Sequence, residues 1–288
     1  ASPRRGGRYP QEALLCLQNT TNHHLEARLT ANLGYIHLFG HEYSLAKHYL
    51  QQALTLQRLL RDQSGIALTQ VLLGDLYRKL GLYAEAQQEY ELTRRHFELI
   101  NGPYWESWLY TSYGYLQLQL GDLTSAVAFC KRALQVTKQG QINALAQGAL
   151  NGLGDQRAAR DYYQHAVDLQ ASATSTYRLP DAHASFAAFL LSQNELSEAM
   201  IHTEATLTIM LQEGIVRADE PFQVYWACVN VLRVNQDPRA EEVLRKAYHA
   251  LQETANKLGD VMLRYSFLEN VVANRNLVAM AQATRIKL

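Results

Sequence analysis

No run of this sequence is continuously apolar over the roughly 18 residues that a membrane-spanning helix needs. The opening segment, Ala1-Ser2-Pro3-Arg4-Arg5-Gly6-Gly7-Arg8, is basic and glycine-rich. No apolar stretch follows it, so it does not read as a secretory signal. A surplus of charge is missing too: 27 Lys and Arg balance 27 Asp and Glu. General binding to nucleic acid leans on positive charge to meet phosphates, so that function is disfavoured. Cysteine is scarce. Cys16, Cys130 and Cys228 are odd in number and far apart, which argues against a disulfide framework and for a reducing, cytoplasmic compartment. Cys130 and Cys228 read as buried small hydrophobes.

Catalytic signatures are also absent. There is no G-x-x-x-x-G-K-[ST] phosphate loop, no G-x-S-x-G, no H-E-x-x-H and no C-x-x-C. The expectation is a protein that is not an enzyme and needs no cofactor. His37, His41 and His48 form one tempting metal-ligand set, with the first two at helical spacing. Gly40 should end the helix between them, and Glu42 is the nearest available carboxylate. Solvated or capping histidines are the expected outcome, and no metal site. Glu241 and Glu242 are adjacent, so on a helix they point in different directions and read as a solvated face.

What the chain has instead is a repeat. Leu33-Gly34, Leu73-Gly74 and Tyr113-Gly114 recur at a step of 40 residues, and Ala46, Ala86 and Ala126 keep the same step. A fixed period of this size means stacked two-helix units rather than one closed core. Glycine lets the first helix of each unit approach the second. Ala86 is expected to face Gly74, with Tyr77 and Tyr90 filling the wider space between units. The expected architecture is all-α: a right-handed superhelical solenoid of about six antiparallel helix pairs with a C-terminal capping helix.

The boundaries follow from turn signals. Residues 1–24 read as a linker and a truncated leading helix around Ala13 to Leu17. The repeats occupy about 25–62, 63–100, 103–140, 141–172, 180–214 and 220–253, within a repeat region of 25–258. Gly40, Gly81 and Gly121 stop first helices, and Asn194 takes the place of that glycine in repeat five. The fourth unit steps by 33 residues, since Gly154-Asp155 matches Gly121-Asp122. Its first helix holds Gly140, Gly148 and Gly152, each costing about 1 kcal/mol against alanine, which makes it a candidate bend or hinge. Residues 259–288 form the capping helix, expected from Asp260 to about Gln282, and a tail. The chain has no initiator methionine and enters in mid-pattern, so it reads as a piece of a longer protein.

Gln70-x2-Leu73-Gly74-x2-Tyr77 followed by Ala86-x3-Tyr90 resembles the tetratricopeptide repeat signature over roughly residues 25–252. The long period is similar to that of the C-terminal sensor arrays of bacterial signal-transduction ATPases of the STAND class. Ser266-Phe267-Leu268-Glu269-Asn270-Val271 with Asn274-Arg275 resembles their closing helix. The resemblance implies a cytoplasmic recognition module. Its partners would be a protein or peptide effector, or a small molecule, and an upstream nucleotide-binding domain of the same polypeptide. A constitutive assembly scaffold without a switching role is the alternative.

The resemblance also implies that first helices line a concave binding face. Positions six and three before the glycine, and one and four after it, then point inward. They supply Arg28 and Tyr35 in repeat one, Asp75 and Arg78 in repeat two, Trp108 and Tyr115 in repeat three, and Tyr225 in repeat six. Aromatic rings with arginines suit a peptide groove. Trp108, Tyr115 and Tyr225 would equally suit packing between neighbouring repeats, and Tyr104 and Trp105 read as either a recognition edge or a plug. The family's carboxylate clamp would need lysine and asparagine three before and one after the glycine. Ala31 and Tyr35, then Val71 and Asp75, stand there, so a chaperone-tail receptor is disfavoured.

Overall fold

The structure is a computed structural model that describes residues 22–97, 103–137, 156–172, 179–213 and 218–286. Those residues form thirteen helices and no strand. Three complete pairs come first: α1 (His23–Phe39) with α2 (Tyr43–Leu59), α3 (Gln63–Lys79) with α4 (Tyr83–Phe97), and α5 (Pro103–Leu120) with α6 (Leu123–Thr137). After α7 (Gln156–Ser172) come the pairs α8 (Leu179–Ser192) with α9 (Leu196–Glu213) and α10 (Pro221–Val234) with α11 (Ala240–Asn256). The chain ends on α12 (Val261–Glu269) and α13 (Val272–Ala283). The expected leading helix and the glycine-rich first helix of the fourth unit lie outside the described residues.

The repeat pattern is a packing pattern. Ala46, Ala86, Ala126, Ala159 and Ala199 are all buried, and Ala240, their counterpart in repeat six, is half-buried. The partner of the motif glycine differs from expectation. A β-carbon on Gly34 would sit 2.6 Å from the Leu50 side chain, and one on Gly114 would sit 3.1 Å from Cys130 Sγ. At Gly74 it would collide with the edge of the Tyr90 ring. So the glycine receives the side chain four residues after the repeat alanine, one helical turn beyond Ala86. Tyr90 therefore fills space inside its own unit, and it also reaches the next one, 5.1 Å from the Tyr113 ring. Cys130 and Cys228 are buried and free, and burial pushes both thiols up to about 12.

The turns share one conformation. A left-handed residue follows each of these first helices, two places past α1, α3, α8 and α10 at His41, Gly81, Asn194 and Gln236, and directly past α5 at Gly121. The first helix of repeat one stops at Gly40 as expected, but the positive φ of 59° belongs to His41, the residue in register with Gly81 and Gly121. The closing element is two helices and not one. Asn270 turns its side chain to Gly81 O and Ser266 Oγ, Asn274 Nδ2 donates to Phe267 O, and Val271 between them is extended.

The two ends of the array meet. Tyr43 of α2 packs 5.8 Å from Phe267 of α12, which lies 5.8 Å from Phe222 of α10. Ser44 Oγ donates to Lys257 O, and Tyr83 OH donates to Asn270 O. One hydrophobic cluster runs from Leu38 and Leu50 through Leu76 and Leu80 to Val229, Leu251 and Leu277. Repeats one and two thus share a core with repeat six and the closing helices.

A histidine pair marks repeat five. His183 Nδ1 on α8 and His202 Nδ1 on α9 lie 2.8 Å apart beside the Phe186 ring, so one nitrogen donates and the other must accept. Burial and then the His202 charge pull His183 down to about 4. Burial also lowers His202, with Arg160 acting the same way and Glu198 opposing. The folded chain therefore holds fewer protons than the unfolded chain below the ordinary value of 6.5. Stability should fall as pH drops from there toward about 4, by about 1–2 kcal/mol once solvent screening is allowed for. Thermal melts between about pH 7.5 and 5 test this, with His202→Phe expected to flatten the profile. A wild-type melting temperature that does not move over that range would refute it.

Candidate functional site: a closed inner face

The site is built on the C-terminal turn of α3 and the short segment that enters α10. α3 ends in Arg78 and Lys79, the favoured place for cations on a helix. Glu220 is the N-cap residue of α10, followed by Pro221 at its first position. The two termini face each other. Lys79 Nζ donates to Asp219 O at 2.7 Å, Asp219 Oδ1 at 2.8 Å and Glu220 Oε1 at 2.9 Å. Arg78 Nη2 donates to Glu220 Oε1 at 2.7 Å. From α8, Asp181 accepts from the backbone N–H groups of Asp219 and Glu220, both at 2.9 Å.

Burial makes this cluster consequential. Arg78 and Lys79 are 2% and 5% exposed. Removing such charges from water costs several kcal/mol each, and only close, well-directed partners offset that. All three Nζ protons of Lys79 are used. Burial favours its neutral form, but Asp219 and Glu220 outweigh burial and raise its pKa. Burial likewise opposes ionisation of Glu220, and the Arg78 and Lys79 charges win, lowering its pKa.

Asp75 organises the other side. Its carboxylate accepts from Tyr90 OH at 2.7 Å and from Trp108 Nε1 at 2.9 Å. Arg78 Nε is 3.9 Å from Asp75 Oδ1, too far for a hydrogen bond, and the guanidinium lies 5.1 Å over the Tyr115 ring. Trp108 stands 6.0 Å from Tyr35 and is stacked on Trp105 at 5.6 Å. His41 Nε2 is 3.1 Å from Ala218 O; a carbonyl only accepts, so Nε2 carries the hydrogen. His37 pairs instead with Glu42, so the two histidines serve different partners. Among the described residues no group of three possible ligands could hold a metal ion.

A cleft of about 260 Å³ remains beside the cluster, walled by Tyr43, Lys79, Tyr115, Glu220, Trp226 and Phe267, among others. It joins first helices of repeats two, three and six to the closing helices.

Five of the residues singled out from sequence are contiguous here: Tyr35, Asp75, Arg78, Trp108 and Tyr115. Tyr35 is 41% exposed, Trp108 and Tyr115 are half-buried, and Asp75 and Arg78 are buried. Arg28 is exposed and outside the cluster. Tyr225 is half-buried, packed near Ala218 and Met210. Sequence reasoning missed Lys79, Asp181, Asp219 and Glu220, and it read His41 as solvated or capping, whereas the ring is buried against Ala218 O. The available signals were an Arg-Lys pair closing one helix and an Asp-Glu-Pro opening another, and each reads locally as ordinary helix-end chemistry.

Residues 65–139 match the tetratricopeptide repeat family. No curated protein matches the chain. Among solved structures, the Rap protein complexed with competence and sporulation factor is 11% identical, with a TM-score of 0.64 over 96% of this chain and 81% of that one. PH0952 from Pyrococcus horikoshii, a STAND protein with a tetratricopeptide repeat sensor, is 12% identical with a TM-score of 0.61. It is matched over 97% of this chain and 46% of its own length. A chain of the APC/C hetero-tetramer Cut9–Hcn1 is 13% identical at a TM-score of 0.62, over 92% of this chain and 46% of that one. The chain thus spans about half the length of the last two. The fold is that of a tetratricopeptide-repeat solenoid, resembling the sensor repeats of a STAND ATPase.

Proposed function

We propose that the chain is a protein- or peptide-recognition array, the sensor part of a larger bacterial signalling ATPase in the cytoplasm. It works by binding and not by catalysis. The observation that carries this is the convergence of inner helices from repeats two, three and six, with Tyr43 of repeat one, on one aromatic-walled cleft next to a buried ion cluster. Arg28, Tyr35, Asp75, Arg78, Trp108, Tyr115 and Tyr225 are its ligand-facing residues, and Arg28 and Tyr35 are the most accessible. The Rap complex and the repeat sensor of PH0952 lend support by likeness of fold. No described helix is long and apolar enough to cross a membrane.

A ligand can shift a switch only through unequal affinity for its two states. Contacts that join the ends of this array offer such states, closed and opened. An upstream nucleotide-binding domain would receive the change. Peptides selected from a random display library on the immobilised chain are expected to lose at least about tenfold in affinity to Arg28→Ala/Tyr35→Ala. Selected peptides that bind this variant as tightly as the parent would falsify the inner-face site. A full-length reading frame without a phosphate-binding loop would refute the sensor role.

A further inference from the structure

We infer that the inner face of repeats one and two is a receptor for an extended acidic segment of a partner protein, and that Ala218, Asp219 and Glu220 occupy it as an internal stand-in. This rests on the recognition reading above and names its ligand class. The grip on the stand-in has the form of peptide recognition. His41 takes the carbonyl of Ala218, and Lys79 takes the carbonyl and carboxylate of Asp219. Arg78 and Lys79 together take the carboxylate of Glu220. Three consecutive non-helical residues thus present two main-chain carbonyls and two carboxylates to side chains about 140 positions away or more. Main-chain contacts give such recognition its affinity and the side chains give it specificity.

The fit is incomplete at one point. Arg78 is 2% exposed, yet its Nε and Nη1 have no hydrogen-bond acceptor, since only Nη2 reaches Glu220. The stand-in is unable to improve on this. Glu220 is the N-cap of α10 and its N–H is held by Asp181, so its side chain reaches Arg78 from a fixed anchor. A carboxylate on a free peptide has no such tether and suits the two-pronged geometry that a guanidinium favours. The adjoining cleft, with Lys79 and Tyr115 on its wall, has room for the residue that follows. The stand-in holds the site because it is part of the same chain, at high effective concentration.

The test uses the full chain and two labelled peptides, Ala-Asp-Glu-Pro-Phe, copied from residues 218–222, and its amide counterpart Ala-Asn-Gln-Pro-Phe. Asp219→Asn/Glu220→Gln removes the internal carboxylates. Fluorescence anisotropy should show the acidic peptide binding this variant at least about tenfold tighter than it binds the wild type, and tighter by as much than the amide peptide binds the variant. Adding Lys79→Met should abolish the difference. If the double variant loses its helical circular dichroism, Asp219→Asn alone carries the measurement. Equal affinities for the two peptides, or indifference to Lys79, overturn the inference. Library peptides selected on the same variant separate the two readings. Enriched sequences without acidic pairs that still need Tyr35 overturn the acidic receptor and leave recognition standing. No enrichment at all overturns both.

Discussion

Lys79→Met is expected to remove about 3–5 kcal/mol of stability, because it leaves Asp219 and Glu220 buried without their cation. The intact cluster need not add much net stability, since desolvation offsets most of its attraction. Breaking it from one side is what costs. Urea titration followed by circular dichroism measures the loss. Hydrogen exchange should accompany it, because repeat arrays do not always unfold as one unit. The exposed pair Arg245–Glu241 serves as control: Arg245→Ala should change stability by no more than about 0.5 kcal/mol. Adding Asp219→Asn and Glu220→Gln to Lys79→Met should restore part of the loss. The effect also carries a pH signature. Glu220 has a lowered pKa, so its contribution is present above the ordinary value of 4.5 and fades as pH falls through the depressed one. Wild type and Lys79→Met should therefore converge in acid. A loss below about 1 kcal/mol at neutral pH would mean that the cluster is solvated in practice.

The two levels of this structure differ in how they can be read from residues. Within a unit, the sequence is explicit. Gly34, Gly74 and Gly114 keep register with Ala46, Ala86 and Ala126, and each set is buried in helix crossings. Ala159, Tyr163 and Ala166 carried that register across the shortened fourth step and are buried too. Those contacts join neighbours in sequence, so periodicity records them. The identity of the glycine's partner was missed by one helical turn, because composition marks small residues and does not mark the crossing point. The left-handed turn at His41 was hidden because the glycine stands one position early. Between distant units, periodicity is silent. Lys79 and Asp219 are 140 positions apart, and Asn270 and Gly81 are 189 apart. No local rule distinguishes an Arg-Lys pair that is solvated at a helix end from one that anchors another part of the chain. The candidate site shows the same division. Tyr35, Asp75, Arg78, Trp108 and Tyr115 follow from the repeat register together with the inward-facing positions that the family resemblance implies, whereas the acidic segment opposite them follows only from closure of the array.

Closure makes Gly81 the most exacting position in the turn series. Its φ is +74°, where an L side chain strains the backbone by roughly 1–2 kcal/mol. It is also pressed by α12. A β-carbon there would sit 2.8 Å from Ser266 O and 2.8 Å from Asn270 Cβ, and a main-chain oxygen cannot swing aside as a side-chain tip can. Gly81→Ala should therefore cost about 2–4 kcal/mol, the sum of strain and overpacking. Gly121 separates the two terms. Its φ is +83°, and nothing lies within 4 Å of its would-be β-carbon, so Gly121→Ala should show the strain alone. The excess at Gly81 measures the docking of α12. It should appear as faster hydrogen exchange across residues 261–283, where Asn270 no longer reaches Gly81 O and Tyr83 no longer reaches Asn270 O. Protection within α3 and α4 should persist, since their crossing at Gly74 and Tyr90 is untouched. Equal losses at the two glycines, with unchanged exchange in α12 and α13, would show that the closing helices add nothing to the stability of repeat two.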